Sequence, residues 1–192
     1  VSGPDLAAGV AFRAVELVFT AGKCAPSCPY TVVDGRQPSL VRLDLSERYT
    51  RAIREAVGDR ADLLFGTHGQ FTPSGALRLA RRLEAYDPLW FEEPVPPDDL
   101  EGMARVASGT TIPVATGERL TTVSEFAAVL RAGAASILQP DLGRSGGILQ
   151  GNKIATLGEV HQAVFLPTAI SGAVSRETTT PLTPHAATSS AR

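Results

Sequence analysis

Short apolar runs alternate with amphipathic helical patterns along most of the chain. Six runs have the length and composition of buried strands, at residues 17–23, 63–65, 89–91, 112–115, 136–138 and 163–166. Between these runs, apolar residues recur at the spacing of one helix face. Strands that alternate with helices predict an α/β fold with a parallel sheet, either open or closed into a barrel.

Capping residues predict where several helices begin. Thr72 followed by Pro73 is typical of an N-cap and a first-turn proline. Thr122 with Glu125 forms the pattern of a capping box. The same pattern at Asp98, with a glutamate three residues later, predicts a third helix start.

The helix before the second strand is predicted from its apolar stripe. Tyr49, Ile53 and Val57 recur at helical spacing after Ser46. The pattern therefore predicts a helix from Ser46 that buries these three side chains.

Acidic residues recur where the predicted strands end. The strand ends fall at Gly66, Glu92, Glu118, Asp141 and Thr168, at intervals of 26, 26, 23 and 27 residues, which is about one βα unit each. In a parallel barrel these ends converge on one mouth. Because clustered carboxylates repel one another unless a cation neutralises them, the three acids favour a divalent metal site, with Mg²⁺ as the natural occupant.

Two more side chains at strand ends are candidates for chemistry. Lys23 ends the first predicted strand and is a candidate base, Schiff-base nucleophile or exposed charge. His68 lies just past the second strand, next to Gly69, and a histidine at the mouth acts as an acid, a base or a ligand.

Composition limits the class of protein. The 192 residues are 43% hydrophobic, which is enough for one core, and the formal charge of −2 gives no basic footprint for nucleic acid or a membrane surface. No apolar run approaches the roughly 20 residues of a membrane span, and no signal peptide is recognisable, so we expect a cytoplasmic protein. Residues 175–192 follow neither periodicity and are expected to be a disordered or non-native tail.

Three motifs together resemble one enzyme family. They are LWFEEP at 89–94, IPVATGER at 112–119, and LQPD at 138–141 with GGI at 146–148. From about residue 19 to 174 the chain resembles the mandelate racemase and muconate lactonizing enzyme group of the enolase superfamily. The His68-Gly69 element is most similar to the galactonate dehydratase-like acid-sugar dehydratases of that group.

The resemblance implies a fold and an activity. The fold is a partial TIM-type (β/α) barrel of about six βα units over residues 1–174, without the N-terminal capping domain and the two further barrel units of the family. The activity is a Mg²⁺-dependent lyase reaction, in which a sugar acid such as galactonate loses a proton alpha to its carboxylate, forms an enediolate and loses water.

The resemblance also implies roles for individual residues. Glu92 and Glu118 are expected to bind Mg²⁺, and Glu93 is expected to support them. His68 is the expected acid that assists departure of the hydroxyl group. Asp141 is expected to orient a histidine base, and Lys23 to lie in the opposite acid/base region.

Three positions depart from the family pattern. Gly66 stands where a third metal-binding acid is expected, Thr168 where the histidine base is expected, and Ala25 where a second acid or base often follows Lys23. We therefore expect weak activity or none from the isolated chain, and homo-oligomers built through the exposed edges of an open barrel. Two alternatives remain open, a Schiff-base aldolase that uses Lys23 and a non-catalytic binding or assembly subunit.

Overall fold

The computed structural model describes residues 14–18 and 36–168 of the chain, the first of these segments as backbone only. The strands are β1 (Ala14–Val18), β2 (Asp62–Gly66), β3 (Trp90–Glu92), β4 (Val114–Thr116), β5 (Ile137–Leu138) and β6 (Val164–Phe165). The helices are α1 (Leu40–Val57), α2 (Pro73–Leu83), α3 (Leu100–Gly109), α4 (Val123–Arg131) and α5 (Gly147–Val160). Short 3₁₀ turns at Gly58–Arg60 and Glu84–Tyr86 follow α1 and α2.

The strands form one parallel sheet in the order of the sequence, β1-β2-β3-β4-β5-β6. In the register, Gly66 lies opposite Glu92, and Glu92 lies opposite Ala115. A helix lies between each strand and the next along the chain, as βα units require. The predicted α/β fold with about six parallel strands is confirmed, and the ends of successive strands lie side by side at one edge of the sheet.

The helices cover the sheet and close the core against it. Neighbouring helices pack in pairs, α1 on α2, α2 on α3 and α4 on α5. The largest fully buried side chains of the core include Phe65, Phe91, Phe126, Leu79 and Met103. None of the helices in the described residues combines the length and the apolar composition of a membrane span.

Two of the three predicted helix caps are confirmed. Thr72 Oγ1 accepts a hydrogen bond from the Gly75 amide at 3.1 Å, ahead of Pro73. Thr122 and Glu125 form the complete capping box at the start of α4.

The third cap was predicted one residue too early. Asp99, and not Asp98, caps α3 by accepting a hydrogen bond from the Gly102 amide at 2.9 Å. The Asp99 amide bonds to the Pro96 carbonyl, so a turn encloses Asp98. The first helical carbonyl is therefore that of Asp99, which accepts from the Met103 amide.

The prediction for α1 was wrong in its start and only partly right in its buried face. The helix begins at Leu40, with Ser39 as N-cap, and its fully buried residues are Leu43 and Thr50. Of the side chains predicted to be buried, Tyr49 is 57% exposed, whereas Ile53 and Val57 are half-buried. Thr50 donates its hydroxyl to the Ser46 carbonyl, which allows a polar residue to occupy the buried face.

The first strand also differs from its prediction. β1 begins at Ala14, earlier than the predicted residue 17, and pairs along its whole length with β2. Residues 19–23 of the predicted strand lie outside the described residues.

Candidate active site

Glu92 and Glu118 lie at the ends of adjacent strands. Glu92 is the last residue of β3, and the Trp90 indole donates a hydrogen bond to its Oε2 at 3.4 Å. Glu118 follows β4 after Gly117, and its side chain is 13% exposed. The parallel pairing of β3 with β4 thus brings both predicted metal ligands to the same edge of the sheet.

His68 lies at this edge on the loop after β2. Its backbone is left-handed (φ 49°), which is uncommon for a residue other than glycine. Its side chain is 46% exposed, and Nδ1 lies 3.5 Å from Glu118 Oε1. The structure therefore brings the predicted acid into contact with a predicted metal ligand.

Glu93 differs from its neighbour because its side chain is buried. Its backbone is also left-handed (φ 41°), and the residue is fully inaccessible to solvent. Arg119 donates to Glu93 Oε2 from Nε at 2.8 Å and from Nη2 at 2.5 Å. Burial raises the pKa of the Glu93 carboxyl, Arg119 opposes that rise, and the nearby Glu118 carboxylate adds to it.

Arg119 is a site residue that the sequence analysis did not select. Its side chain is 36% exposed and forms the ion pair with Glu93. The one signal in the sequence was its position directly after Glu118. That Glu93 is buried and needs a cationic partner is visible only in the structure.

Asp141 is fully buried just beyond β5. Its Oδ1 accepts from the Gly143 amide at 2.8 Å, and its carbonyl accepts from the amides of Arg144 and Ser145. It pairs in a parallel bridge with Thr168. The residue beside Asp141 is therefore Thr168, at the position where the family resemblance places the histidine base.

The remaining predicted site residue is not described. Lys23 lies outside the described residues, as do Ala25 and the predicted tail at 175–192.

The donor set fits Mg²⁺ in its chemistry and is short by one side chain. Within the described residues, no three His, Cys, Asp or Glu side chains lie close enough to share a metal ion, so the site of three acids predicted from the strand ends, with Asp141 beside Glu92 and Glu118, is not formed. Gly66, opposite Glu92 in the sheet, has no side chain to contribute. Glu92 and Glu118 carry oxygen atoms of the kind that Mg²⁺ prefers, on adjacent strands, and Mg²⁺ is commonly held by one or two carboxylates, with water completing its shell.

Comparisons of sequence with known proteins agree with the motifs. The sequence model of the Enolase C-terminal domain-like family matches residues 6–192. D-xylonate dehydratase of Haloferax volcanii is 39% identical over 128 residues, which are 67% of this chain and 30% of that protein. D-galactonate dehydratase of Variovorax paradoxus is 39% identical over 125 residues, covering 65% of this chain and 33% of that protein. The chain thus spans about a third of the length of these curated relatives.

Solved structures show the same relationship. A mandelate racemase/muconate lactonizing enzyme from a Jannaschia species superposes with a TM-score of 0.74 at 53% identity, over 86% of this chain and 41% of that one. A racemase from Streptomyces coelicolor with bound magnesium gives a TM-score of 0.69 at 30% identity, over 83% of this chain and 39% of that one. The chain therefore belongs to the enolase C-terminal domain-like family, in the mandelate racemase and muconate lactonizing enzyme group.

Proposed function

We propose that this chain is the barrel portion of a Mg²⁺-dependent dehydratase that removes water from a sugar acid. The observation that carries the proposal is the placement of the His68 imidazole 3.5 Å from Glu118, at the edge of the sheet that also bears Glu92. An acid next to two metal-binding carboxylates suits a substrate with a carboxylate at one carbon and a departing hydroxyl at a carbon nearby. The two curated relatives named above act on D-xylonate and D-galactonate, which are substrates of this kind.

The reaction breaks one C–H bond and one C–O bond. The proton alpha to the carboxylate leaves to a base, the hydroxyl on the next carbon leaves as water, and the resulting enol becomes a 2-keto-3-deoxy acid. Mg²⁺, when bound by Glu92 and Glu118, would offset the negative charge that develops on the substrate carboxylate. We assign to His68 the donation of a proton to the departing hydroxyl, with Nδ1 turned towards Glu118 and Nε2 left for the substrate.

Abstraction of the alpha proton needs a base other than Thr168. The threonine beside Asp141 is not a base near neutral pH. We therefore assign this step to Lys23, the other ionisable residue that the family pattern places in the acid/base region. A lysine acting alone in this role predicts slow turnover and a rate that rises with pH.

The alternatives receive no support from the relatives. The named relatives are two dehydratases, a racemase and a mandelate racemase/muconate lactonizing enzyme, which favours neither Schiff-base aldolase chemistry on Lys23 nor a non-catalytic assembly subunit.

The test of function is formation of a 2-keto-3-deoxy acid by the purified chain. D-galactonate, D-xylonate and D-gluconate are incubated with millimolar Mg²⁺, and the keto acid is measured as its semicarbazone. We expect slow product formation that Glu118→Gln abolishes, that His68→Asn lowers to a small but measurable rate, and that Glu101→Gln, an exposed change on α3, leaves unaltered. Product formation no faster than in Glu118→Gln would overturn the proposal.

Metal binding is tested separately by thermal unfolding with and without Mg²⁺. A metal that binds only the folded chain raises the midpoint by an amount set by RT ln(1 + [L]/Kd). We expect a rise in the parent and in Glu101→Gln, and none in Glu92→Gln or Glu118→Gln. An equal rise in all four proteins would show that Mg²⁺ binds elsewhere.

A further inference from the structure

The loop that carries His68 has an unusual backbone. His68 and Gly69 are both left-handed, with φ of 49° and 68°. A histidine in this conformation persists only where the surrounding structure holds it. The contacts of this loop therefore decide where the imidazole lies.

Those contacts lead to the backbone of Glu93. The Glu93 carbonyl accepts from the Gly69 amide at 2.7 Å and from the Thr67 hydroxyl at 2.7 Å. The Thr67 amide also bonds to the Glu92 carbonyl at 3.1 Å. Both residues that flank His68 are thus tied to the end of β3.

The Arg119 guanidinium, from the loop after β4, contacts both Glu93 and Gly69. It donates twice to the buried Glu93 carboxylate. It also packs against Gly69 so closely that a Cβ atom there would lie 2.6 Å from Arg119 Nη2 and 3.1 Å from the Val95 carbonyl oxygen. One guanidinium therefore touches the loops that follow β2 and β3 while it belongs to the loop that follows β4.

We propose that Arg119, through Glu93 and Gly69, is a positioning residue that holds the Thr67–Gly69 segment and so keeps the His68 imidazole against Glu118. The proposal rests on the proposed function for the role of His68 as the acid. It does not assign a contact between Arg119 and the substrate. Arg119→Lys keeps the charge and loses the planar fork of donors, so a single ammonium nitrogen replaces the two that bond to the Glu93 carboxylate beside Gly69.

Arg82 provides the matched control. It is 38% exposed, close to the 36% of Arg119, and it too forms ion pairs, with Asp44 and Glu47 on α1. Its neighbours lie on the outer helices and not at the strand ends. Changes at Arg82 therefore reproduce the loss of a half-exposed arginine and its ion pairs without disturbing the His68 loop.

The first measurement is amide hydrogen exchange in the full chain by NMR. In Arg119→Lys and Arg119→Met we expect the Gly69 amide to exchange at least about tenfold faster than in the parent. The Ser136 amide, which bonds to the Val114 carbonyl at 3.0 Å, should keep its rate and report that the sheet is intact. Arg82→Lys and Arg82→Met should leave both amides unchanged. Unchanged Gly69 exchange in the Arg119 variants would overturn the proposal.

The second measurement is a double-mutant cycle on dehydration. Arg119→Lys should lower kcat about tenfold and change KM less than about twofold, since it displaces the acid and not the metal ligands. In the His68→Asn background the same change should have little further effect, because Arg119 acts through His68. Additive losses would overturn the assignment. A parent without activity would overturn the proposed function, and the Gly69 exchange rates would still decide whether Arg119 holds the loop.

Discussion

At the scale of single residues, Glu92 and Glu93 have opposite environments although they are neighbours. Glu92 ends β3 half-exposed at the sheet edge, whereas Glu93 turns into the protein and pairs with Arg119. The difference follows from the left-handed backbone at Glu93. The pattern of apolar and polar residues does not predict that conformation. The sequence therefore predicted two acids at this strand end, and only the resemblance separated their roles.

Burial of Glu93 predicts a pH dependence of stability. Since burial raises the pKa of Glu93, the folded state binds its proton more tightly than the unfolded chain does. In the unfolded chain the pKa of this carboxyl is near 4.5. The contribution of this carboxyl to the free energy of unfolding is fully present below the unfolded-state pKa and is lost as pH rises through the pKa of the folded state. Relative to Glu93→Gln, the parent should lose free energy of unfolding as pH rises above about 4.5. Urea unfolding at several pH values from 4 to 7 measures this, and a difference independent of pH would contradict it.

One substitution at Gly66 is expected to change how the thermal midpoint responds to Mg²⁺. Gly66→Asp would place a third carboxylate beside Glu92 at the strand ends. Without metal, the added repulsion should lower the thermal midpoint, and with Mg²⁺ the midpoint should rise by more than it does in the parent. Ser136→Asp, which adds an exposed carboxylate before β5, is the control. A Mg²⁺ response equal to that of the parent would argue against a metal between these strands.

At the scale of elements, the capping box of α4 is expected to contribute measurably to stability. Thr122 accepts from the Glu125 amide, and Glu125 Oε2 accepts from the Thr122 amide at 2.7 Å. Thr122→Ala should cost about 1 kcal/mol, a fall of about 2–4 °C in midpoint for a chain of this size. Thr156→Ala, an exposed change within α5, is the control and should be neutral or slightly stabilising, because alanine has the higher helix propensity. Equal losses in the two variants would show that the box contributes nothing specific.

The helix boundaries show what local sequence determines. Thr72 and Thr122 were identified correctly because their caps depend on side chains within three residues of them. Asp98 was chosen wrongly because the adjacent Asp99 is chemically the same, and a turn bond to Pro96 decides between them. The buried face of α1 was predicted only in part because it is set by packing against α2, which leaves Tyr49 exposed.

At the scale of the whole molecule, β6 is the last strand in the sheet order, and apolar side chains beside it are exposed. Within the described residues β6 pairs only with β5, and Val164 and Leu166 are 52% and 39% exposed. Exposed strand edges promote association between chains. We expect the average mass from sedimentation velocity to rise with concentration, and the double variant Val164→Lys, Leu166→Lys to suppress that rise. Val41→Lys, at an exposed position on α1, is the control, and an unchanged rise in the double variant would place the contact elsewhere.

The architecture as a whole was predictable from the sequence because it depends on repetition. Strands and helices alternate at an almost constant interval, which is sufficient to predict parallel strands with their ends at one edge. Contacts between units were less predictable. Arg119 meets Glu93 only because the loops after β3 and β4 fold towards each other, and a linear pattern carries no such information.

The sequential order of the strands has a consequence for how such a site changes over time. Each strand end belongs to its own βα unit, and in the part of the chain that the structure describes each strand pairs only with the strands next to it. A different side chain at the end of one strand, for example at Gly66 or Thr168, would leave the backbone hydrogen bonds of the strands in place. In evolution, a protein of this architecture can exchange its acid, its base and its metal ligands one at a time. The reaction can therefore change while the fold stays the same.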